Sequence, residues 1–174
     1  MSIIVNLFAG PGAGKSTIAA GVFTELKFAG VDCELVREYA KDKVWEESFK
    51  TLEDQIYVFG KQLHRVKVVA EKVKVVITDS PVLLSMYYGT NVTPEFRALI
   101  LSEFNSFDNM NYFISRVKPY VANGRMQTSG EALEIDRFLY DLLDDNDIGY
   151  NCVHGNREGL QVIVRNIMKR LEEQ

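Results

Sequence analysis

A glycine-rich segment near the start of the chain carries the clearest chemical signal. It runs Ala9-Gly10-Pro11-Gly12-Ala13-Gly14-Lys15-Ser16-Thr17 and matches the pattern G-x-x-x-x-G-K-[ST], except that alanine stands at the first position. In such a loop, successive backbone N–H groups and the N-terminus of the following helix surround the phosphates of a nucleotide. Glycine is needed where φ is positive or where a side chain would strike the phosphates. The pattern therefore predicts a nucleotide-binding loop.

The polar residues of this loop have separate expected roles. Lys15 would reach the β- and γ-phosphates, the Ser16 hydroxyl would ligate Mg²⁺, and Thr17 would contact the α-phosphate. The sequence has no Asn-Lys-x-Asp guanine-reading motif, and Asp79-Ser80-Pro81-Val82 is not the Asp-x-x-Gly of a GTPase. We therefore expect ATP as the nucleotide, with Mg²⁺ bound at Ser16 and at one further acidic residue.

Two carboxylates follow apolar segments and are candidates for that chemistry. Asp79 ends the run Val75-Val76-Ile77-Thr78 and could hold Mg²⁺ directly or through water, or could cap a helix. Glu38 follows the second predicted strand and could accept the proton of an attacking hydroxyl, position the substrate, or form a surface pair with Arg37. Which of the two acids would act as general base is left open, and Arg37 is a candidate substrate ligand.

A long predicted helix carries a possible substrate-binding face. Gln55, Phe59 and Gln62 are spaced i, i+4 and i+7, and Arg65 follows three residues later. An aromatic ring flanked by amides and a cation suits a nucleobase, which can stack and hydrogen-bond at the same time. The alternative is that Phe59 belongs to the core and that the polar residues face solvent.

Charge is unevenly distributed in the second half of the chain. Between Asn109 and Gly130 there is no Asp or Glu, whereas Arg116 and Arg125 are present. A basic loop at about 117–130 could close over phosphates as a lid and stabilise transition-state charge, or it could be an ordinary solvated loop. Asn156 and Arg157 follow the last predicted strand and could contact the adenine and ribose of the nucleotide.

Apolar runs alternate with helical patterns along the whole sequence. Such alternation predicts a single α/β domain over residues 1–174, with a five-stranded parallel sheet covered by helices on both faces. The predicted strands are Ile3–Phe8, Val31–Val36, Val73–Thr78, Asn111–Ser115 and Tyr150–His154. The predicted helices are Lys15–Ala29, Lys41–Glu47, Thr51–Lys72, one beginning at Pro94 with Thr93 as its cap, Glu131–Leu143 and Arg157–Glu172.

The composition of the chain limits the cellular environments and the binding partners that we expect for it. The 174 residues carry a formal charge of −4, so non-specific binding to nucleic acid would need a local basic patch. No apolar run approaches the roughly 20 residues of a membrane span, and the start of the chain lacks the basic region of a signal peptide. Together with only two cysteines, these features lead us to expect a reduced protein of the cytoplasm without a membrane partner.

These motifs resemble the P-loop kinases of nucleosides and other small molecules. The resemblance implies a P-loop NTPase three-layer sandwich with strand order 2-3-1-4-5 and a lid after strand four. Asp79-Ser80-Pro81 looks like the acid-Arg-Ser element of deoxynucleoside kinases, although Ser80 replaces the arginine. The chain also resembles phage-encoded ATPase/kinase proteins related to nicotinamide-riboside kinase domains. The segments that carry this resemblance are Arg37-Glu38-Tyr39-Ala40, Gly124-Arg125-Met126-Gln127 and Glu134-Ile135-Asp136. Some phage P-loop kinases phosphorylate 5-hydroxymethyluracil in DNA.

The expected function is transfer of the γ-phosphoryl group of ATP to a hydroxyl group. The acceptor would be a nucleoside, a nucleotide or a modified base, including 5-hydroxymethyluracil in phage DNA; a phage protein would work in the host cytoplasm. The expected catalytic residues are Lys15, Glu38, Asp79, Arg116 and Arg125. An ATPase switch, or a nucleotide-binding regulatory module without a phosphoryl acceptor, is the alternative.

Overall fold

The computed structural model describes residues 2–89, 92–117 and 129–174, and a five-stranded sheet forms its centre. All four strand pairs are parallel, and the strand order is β2-β3-β1-β4-β5. This confirms the expected P-loop NTPase α/β fold and its 2-3-1-4-5 order. The strands are β1 (Ile3–Phe8), β2 (Cys33–Val36), β3 (Val75–Thr78), β4 (Asp108–Ser115) and β5 (Asn151–His154).

Helices connect the strands as expected, with two differences. The predicted helix Thr51–Lys72 is divided, because the Asp54 carboxylate accepts a hydrogen bond from the Tyr57 N–H and so begins a new helix. A 3₁₀ turn at Val82–Leu84 and a short helix follow β3, where no helix was predicted. The helices are α1 (Lys15–Phe28), α2 (Tyr39–Trp45), α3 (Phe49–Glu53), α4 (Gln55–Ala70), α5 (Ser85–Tyr88), α6 (Pro94–Asn105), α7 (Ser129–Asp145) and α8 (Arg157–Glu172).

Two apolar layers enclose the sheet. On one face, α1 and α8 contribute a core that includes Ile18, Val22 and Ile163. On the other face, α4, α6 and α7 contribute a second core, which includes Phe59 and Leu139. Burial on both faces explains why β1 is almost continuously apolar rather than alternating. The three layers match the expected sandwich.

One polar side chain interrupts the apolar sequence of β1. Asn6 is buried, and its Nδ2 donates to Asn109 Oδ1 at 2.8 Å and to Asn111 Oδ1 at 3.0 Å, both on the neighbouring strand β4. Asn6 is also the residue that pairs with Asn111 in the strand register. A buried amide needs hydrogen-bond partners, so this network favours one register of β4 against β1.

Because the five strands are parallel, their carboxyl ends all lie along the same edge of the sheet. The segments that leave β1, β2, β3 and β4 at this edge carry Ala9, Arg37, Asp79 and Arg116 respectively. Ligands of open α/β sheets bind outside the carboxyl ends of the strands. The sheet order places β1 between β3 and β4, so residues distant in sequence meet around the glycine-rich loop.

Two expectations about the environment concern the cysteines and membranes. Cys33 on β2 and Cys152 on β5 are free and lie on the two edge strands of the sheet, so they form no disulfide with each other. Across residues 2–89, 92–117 and 129–174, no helix combines the length and apolar character that a membrane crossing requires.

Candidate functional site

The glycine-rich loop between β1 and α1 adopts a backbone that only some residues allow. Gly12 and Gly14 have φ angles of 82° and 99°, in the left-handed region that favours glycine. Gly14 is also the N-cap residue of α1 and makes no side-chain cap, so the first N–H groups of a 14-residue helix face the loop. This arrangement provides an anion-binding site of the kind the sequence predicts.

Neighbouring elements hold the loop on two sides. A Cβ atom added to Gly10 would lie 2.5 Å from the carbonyl oxygen of Ala132 on α7. A Cβ atom added to Gly155, between β5 and α8, would lie 2.2 Å from the carbonyl oxygen of Ala13. Both glycines are therefore required by close backbone approach, and the shape of the loop depends on its packing against α7 and the β5–α8 connection.

Lys15 lies over the loop. Its Nζ donates to the carbonyl oxygen of Ala9 at 2.6 Å and to that of Gly10 at 3.3 Å. Burial lowers the pKa of Lys15, while the nearby carboxylates of Glu38, Asp79 and Asp136 oppose that shift. The ammonium group is thus positioned among acids at the end of the loop where a lysine reaches the β- and γ-phosphates.

Ser16 and Asp79 meet although they are 63 positions apart in the sequence. The Ser16 Oγ donates to Asp79 Oδ2 at 2.6 Å, and Asp79 Oδ1 is buried without a hydrogen-bond partner among the described residues. Asp79 caps no helix, since the 3₁₀ turn after β3 has Pro81 at its cap position. A hydroxyl group beside a carboxylate with an unused oxygen is a set of hard oxygen ligands, which fits Mg²⁺.

The described residues hold no group of three or more His, Cys, Asp or Glu side chains that could bind a metal by themselves. A magnesium ion at Ser16 and Asp79 would therefore take its remaining ligands from phosphate oxygens and water. Magnesium commonly binds in this way, through one or two protein ligands together with substrate phosphates.

Glu38 lies at the start of α2 and is half-buried. Burial raises the pKa of its carboxyl group; the charge of Lys15 opposes the shift, and the charge of Asp79 reinforces it. Burial and the Glu38 charge also raise the pKa of Tyr88 on α5. A carboxyl group with a raised pKa is a stronger base once it is ionised, which suits proton removal from a hydroxyl group.

A cleft of about 180 Å³ opens beside these groups. Ser16 and Asp79 form part of its wall, and Glu38 lines it as well. The remaining lining residues come from α1, β2 and α2 and the segment between the latter two: Ala19, Ala20, Leu35, Arg37, Lys41, Asp42 and Trp45. The cleft therefore connects the candidate metal ligands with the candidate base.

Two residues of this cleft were missed by the sequence reasoning. Lys41 and Trp45 are spaced i, i+4 on α2 and so share a helix face, and the Trp45 side chain is 72% exposed. Within the described residues, neither the Arg37 nor the Lys41 side chain forms a hydrogen bond or an ion pair. The i, i+4 spacing of a cation and the chain's single tryptophan was the signal that could have found them.

The predicted substrate-binding residues of α4 have other contacts. Phe59 is buried and packs edge-to-face on Phe96, with ring centroids 5.5 Å apart. Gln62 accepts a hydrogen bond from the Tyr39 N–H at 2.9 Å, and Arg65 pairs with Asp42 at 2.8 Å. Gln55 donates to the Leu52 carbonyl. None of these four side chains lines the cleft, so the structure does not bring them together there.

Of the two arginines predicted to stabilise transition-state charge, the structure describes Arg116 but not Arg125. Arg116 follows β4 directly and donates through Nη2 to the carbonyl oxygen of Pro11 in the loop, at 2.9 Å. Arg125 and residues 118–128 of the predicted lid lie outside the described residues. The last two positions of that predicted loop, 129 and 130, belong to α7.

Asn156 and Arg157 lie where the last strand passes into the last helix. Asn156 is the N-cap of α8, and its Oδ1 accepts from the Gly159 N–H at 2.9 Å. Arg157 is the first residue of α8 and is exposed. Because the adjacent Gly155 approaches the loop at Ala13, both residues are close to it in the fold; their contact with adenine and ribose stays a prediction.

Comparison with known proteins agrees with the fold and the loop. No curated protein matches the chain. A family model described as an AAA domain matches residues 4–159, a region that runs from β1 into α8 and includes every residue of the site described above. Since the match spans most of the chain and includes the glycine-rich loop, the chain belongs to this AAA domain family, with the fold of P-loop nucleotide-binding proteins.

Proposed function

We propose that the chain is an ATP- and Mg²⁺-dependent phosphotransferase that moves the γ-phosphoryl group to a hydroxyl group of a nucleoside, a nucleotide or a modified base. The observation that carries this proposal is the cleft beside Ser16 and Asp79, with the Glu38 carboxyl group in its wall. A protein that only binds a nucleotide needs neither an acceptor cleft nor a base beside its phosphate loop. An enzyme with a phosphoryl acceptor needs both.

The donor would bind at the loop. Backbone N–H groups of residues 12–14 and the N-terminus of α1 would surround the β-phosphate, and Thr17 would contact the α-phosphate. Ser16 and Asp79 would hold Mg²⁺, which neutralises charge on the donor phosphates. The Gly10 N–H belongs to a different set of contacts, because it donates to Asp136 Oδ1 at 2.5 Å.

The transfer step follows from the position of Glu38. The acceptor oxygen forms a bond to the γ-phosphorus while the bond between that phosphorus and the oxygen bridging to ADP breaks. The hydroxyl proton passes to the Glu38 carboxylate, and ADP leaves. Lys15 and Arg116 carry positive charge beside the loop and would stabilise the charge on the transferred group. Asp79 is the alternative base, but its contact with Ser16 favours a metal role.

The first experiment follows γ-labelled phosphate from ATP with Mg²⁺. The acceptors offered are nucleosides, nucleoside monophosphates, nicotinamide riboside, and DNA with and without 5-hydroxymethyluracil. We expect stable label on one of them, and labelling of DNA alone would identify a DNA base as the acceptor. A DNA acceptor also predicts binding that weakens steeply with salt, because each neutralised phosphate releases counterions.

Lys15→Ala tests the donor site. We expect label transfer to be abolished in a folded protein, since the Lys15 ammonium group lies on the loop carbonyls and would contact the β- and γ-phosphates. Lys27→Ala is the matched control, because Lys27 lies at the far end of the same helix, where it pairs with Glu34 at 3.9 Å and lies over the Phe23 ring, away from the loop. Unchanged transfer in Lys15→Ala would contradict the proposed function.

A nucleotide-driven switch is the second candidate, and the AAA family match favours it. In that case Glu38 would activate water, and the label would appear only as inorganic phosphate whichever acceptor is offered. Tight ATP binding with no release of label would instead indicate a regulatory module.

A further inference from the structure

A second charged cluster lies on the opposite side of the loop from the cleft. Asp136 on α7 accepts the Gly10 N–H on Oδ1 at 2.5 Å and pairs through Oδ2 with Arg116 Nη1 at 3.0 Å. Arg116 Nη2 in turn donates to the carbonyl oxygen of Pro11 at 2.9 Å. Asp136 and Arg116 thus form a closed set of contacts with two consecutive residues of the loop. We call these two side chains the Asp136–Arg116 clamp.

The clamp contacts the first part of the loop, at Gly10 and Pro11. The Lys15 ammonium group, which serves the β- and γ-phosphates in such loops, lies on the Ala9 and Gly10 carbonyl oxygens. The Gly14 end instead begins α1, whose N-terminus would face the β-phosphate. The clamp therefore meets the loop at the end where the γ-phosphate, the one group that distinguishes ATP from ADP, would bind.

The charges of the clamp indicate a role in nucleotide binding in addition to mechanical support of the loop. A carboxylate beside an anion-binding loop repels phosphates unless its charge serves a neighbouring cation. Both Asp136 oxygens are engaged, and the two side chains of the pair are only 16% and 14% exposed. Arg116 Nε is buried and has no hydrogen-bond partner among the described residues, so Arg116 keeps one donor that neither Asp136 nor the loop satisfies.

We propose that Asp136 is a positioning residue that holds Arg116 against the γ-phosphate end of the loop, so that the site binds ATP in preference to ADP. Arg116 is the group that would touch the nucleotide, and Asp136 acts through it. The inference rests on the proposed function in that it takes ATP as the nucleotide. It requires no phosphoryl acceptor, so it holds for a kinase and for an ATPase alike.

The test measures dissociation constants of Mg²⁺–ADP and of the non-hydrolysable β,γ-imido analogue of ATP. We expect the wild-type chain to prefer the ATP analogue. Asp136→Asn keeps an oxygen for the Gly10 N–H but turns a donor toward Arg116. The preference for the ATP analogue should therefore fall about 10- to 100-fold, the effect of losing one charge-assisted hydrogen bond, while ADP affinity changes little.

A double-mutant cycle distinguishes positioning from general support. Arg116→Gln should lower the preference as much as Asp136→Asn, and the double variant should lower it no further, because both changes remove the same interaction. Asp108→Asn is the matched control, since it breaks an ion pair with Arg170 at the other end of β4 and should leave the preference unchanged. Additive losses in the double variant would overturn the proposal.

Folding is checked by thermal denaturation of each variant. If Asp136→Asn does not fold, Asp136→Glu carries the test, because it keeps the charge but moves it by one methylene and should also lower the preference. A wild-type ratio of ATP-analogue to ADP affinity in either folded variant overturns the clamp alone. A wild-type chain that binds neither nucleotide overturns both the clamp and the proposed function.

Discussion

Lys15 and Glu38 carry opposite charges in the same site. Burial moves the pKa of each group in the direction that favours its neutral form. The pKa of Lys15 is lowered and that of Glu38 is raised, although each charge favours ionisation of the other. Phosphoryl transfer needs the lysine protonated and the base ionised. The two shifts therefore bring the two titrations closer together on the pH scale than they would be for free side chains.

The pH profile of kcat/KM for transfer should be bell-shaped, because kcat/KM reports the ionisations of the nucleotide-free enzyme. The rate rises with pH as Glu38 ionises above the ordinary range of a carboxyl group, and it falls as Lys15 loses its proton below the ordinary range of an amine. Glu38→Gln should lower kcat by about 10²- to 10⁴-fold, the usual contribution of a general base. Steady-state rates across pH check this, with Glu34→Gln on β2 as the control. An acidic limb that survives in Glu38→Gln would assign the base to another group.

Replacing Glu38 should lower the rate of transfer but raise the stability of the folded protein. Because the folded-state pKa of Glu38 is raised, the folded chain holds the proton more tightly than the unfolded chain. The stability this proton confers is full below the unfolded pKa and is lost as pH rises through the folded pKa. Glu38→Gln imitates the protonated form, so it should raise the Tm of the nucleotide-free protein at neutral pH. A lower Tm in this variant would contradict the assigned burial of Glu38.

At the scale of elements, the loop depends on the segments packed against it as much as on its own glycines. The β5–α8 connection approaches it at Gly155, and α7 approaches it at Gly10. Both contacts are between backbone atoms, which cannot move aside as a flexible side chain can. The positions of α7 and α8 therefore set the shape of the candidate phosphate site.

Gly155→Ala tests this dependence. The added Cβ would lie 2.2 Å from the Ala13 carbonyl oxygen, so we expect a loss of about 1–3 kcal/mol in the free energy of unfolding, as for other overpacked sites, together with weaker nucleotide binding. Gly149→Ala is the matched control six residues earlier, where nothing lies within 4 Å of the added Cβ. Chemical denaturation and ADP titration measure both effects. Equal behaviour of the two variants would contradict the packing described here.

At the scale of the whole molecule, the sheet order separates the two cysteines. Cys33 on β2 is fully buried, and burial raises the pKa of its thiol, whereas Cys152 on the opposite edge strand is exposed. Three strands lie between them. The fold thus provides one accessible thiol and one protected thiol that reports on opening of the domain.

Thiol labelling should therefore occur in two phases. Cys152 should react at once in the native protein, and Cys33 should react only at the rate of unfolding, because its thiol has no access to the reagent and forms little thiolate. Adding a reductant should leave the Tm unchanged, since no disulfide is present. Rapid labelling of both thiols would show that the β2 edge opens without global unfolding.

Short-range features of this protein could be predicted from the sequence because neighbouring residues determine them. The loop from Ala9 to Thr17 needs its own glycines, its own lysine and the helix that follows it, and the strand order came from resemblance to a known fold. The α4 face shows where a pattern becomes ambiguous. Its spacing suits a core and a binding face equally, and only packing against Phe96 makes Phe59 part of the core.

Contacts between distant residues were decided by the tertiary structure alone. Ser16 meets Asp79 across 63 positions because β3 lies beside β1 in the sheet, and the candidate metal pair depends on that order. Asp136 reaches Gly10 across 126 positions because α7 packs over the loop, a fact that no local pattern around either residue encodes. The sequence by itself predicted a loop shaped to bind phosphate groups. Packing decided which acids and cations stand around them, since side-chain contact depends on distance in space rather than along the chain.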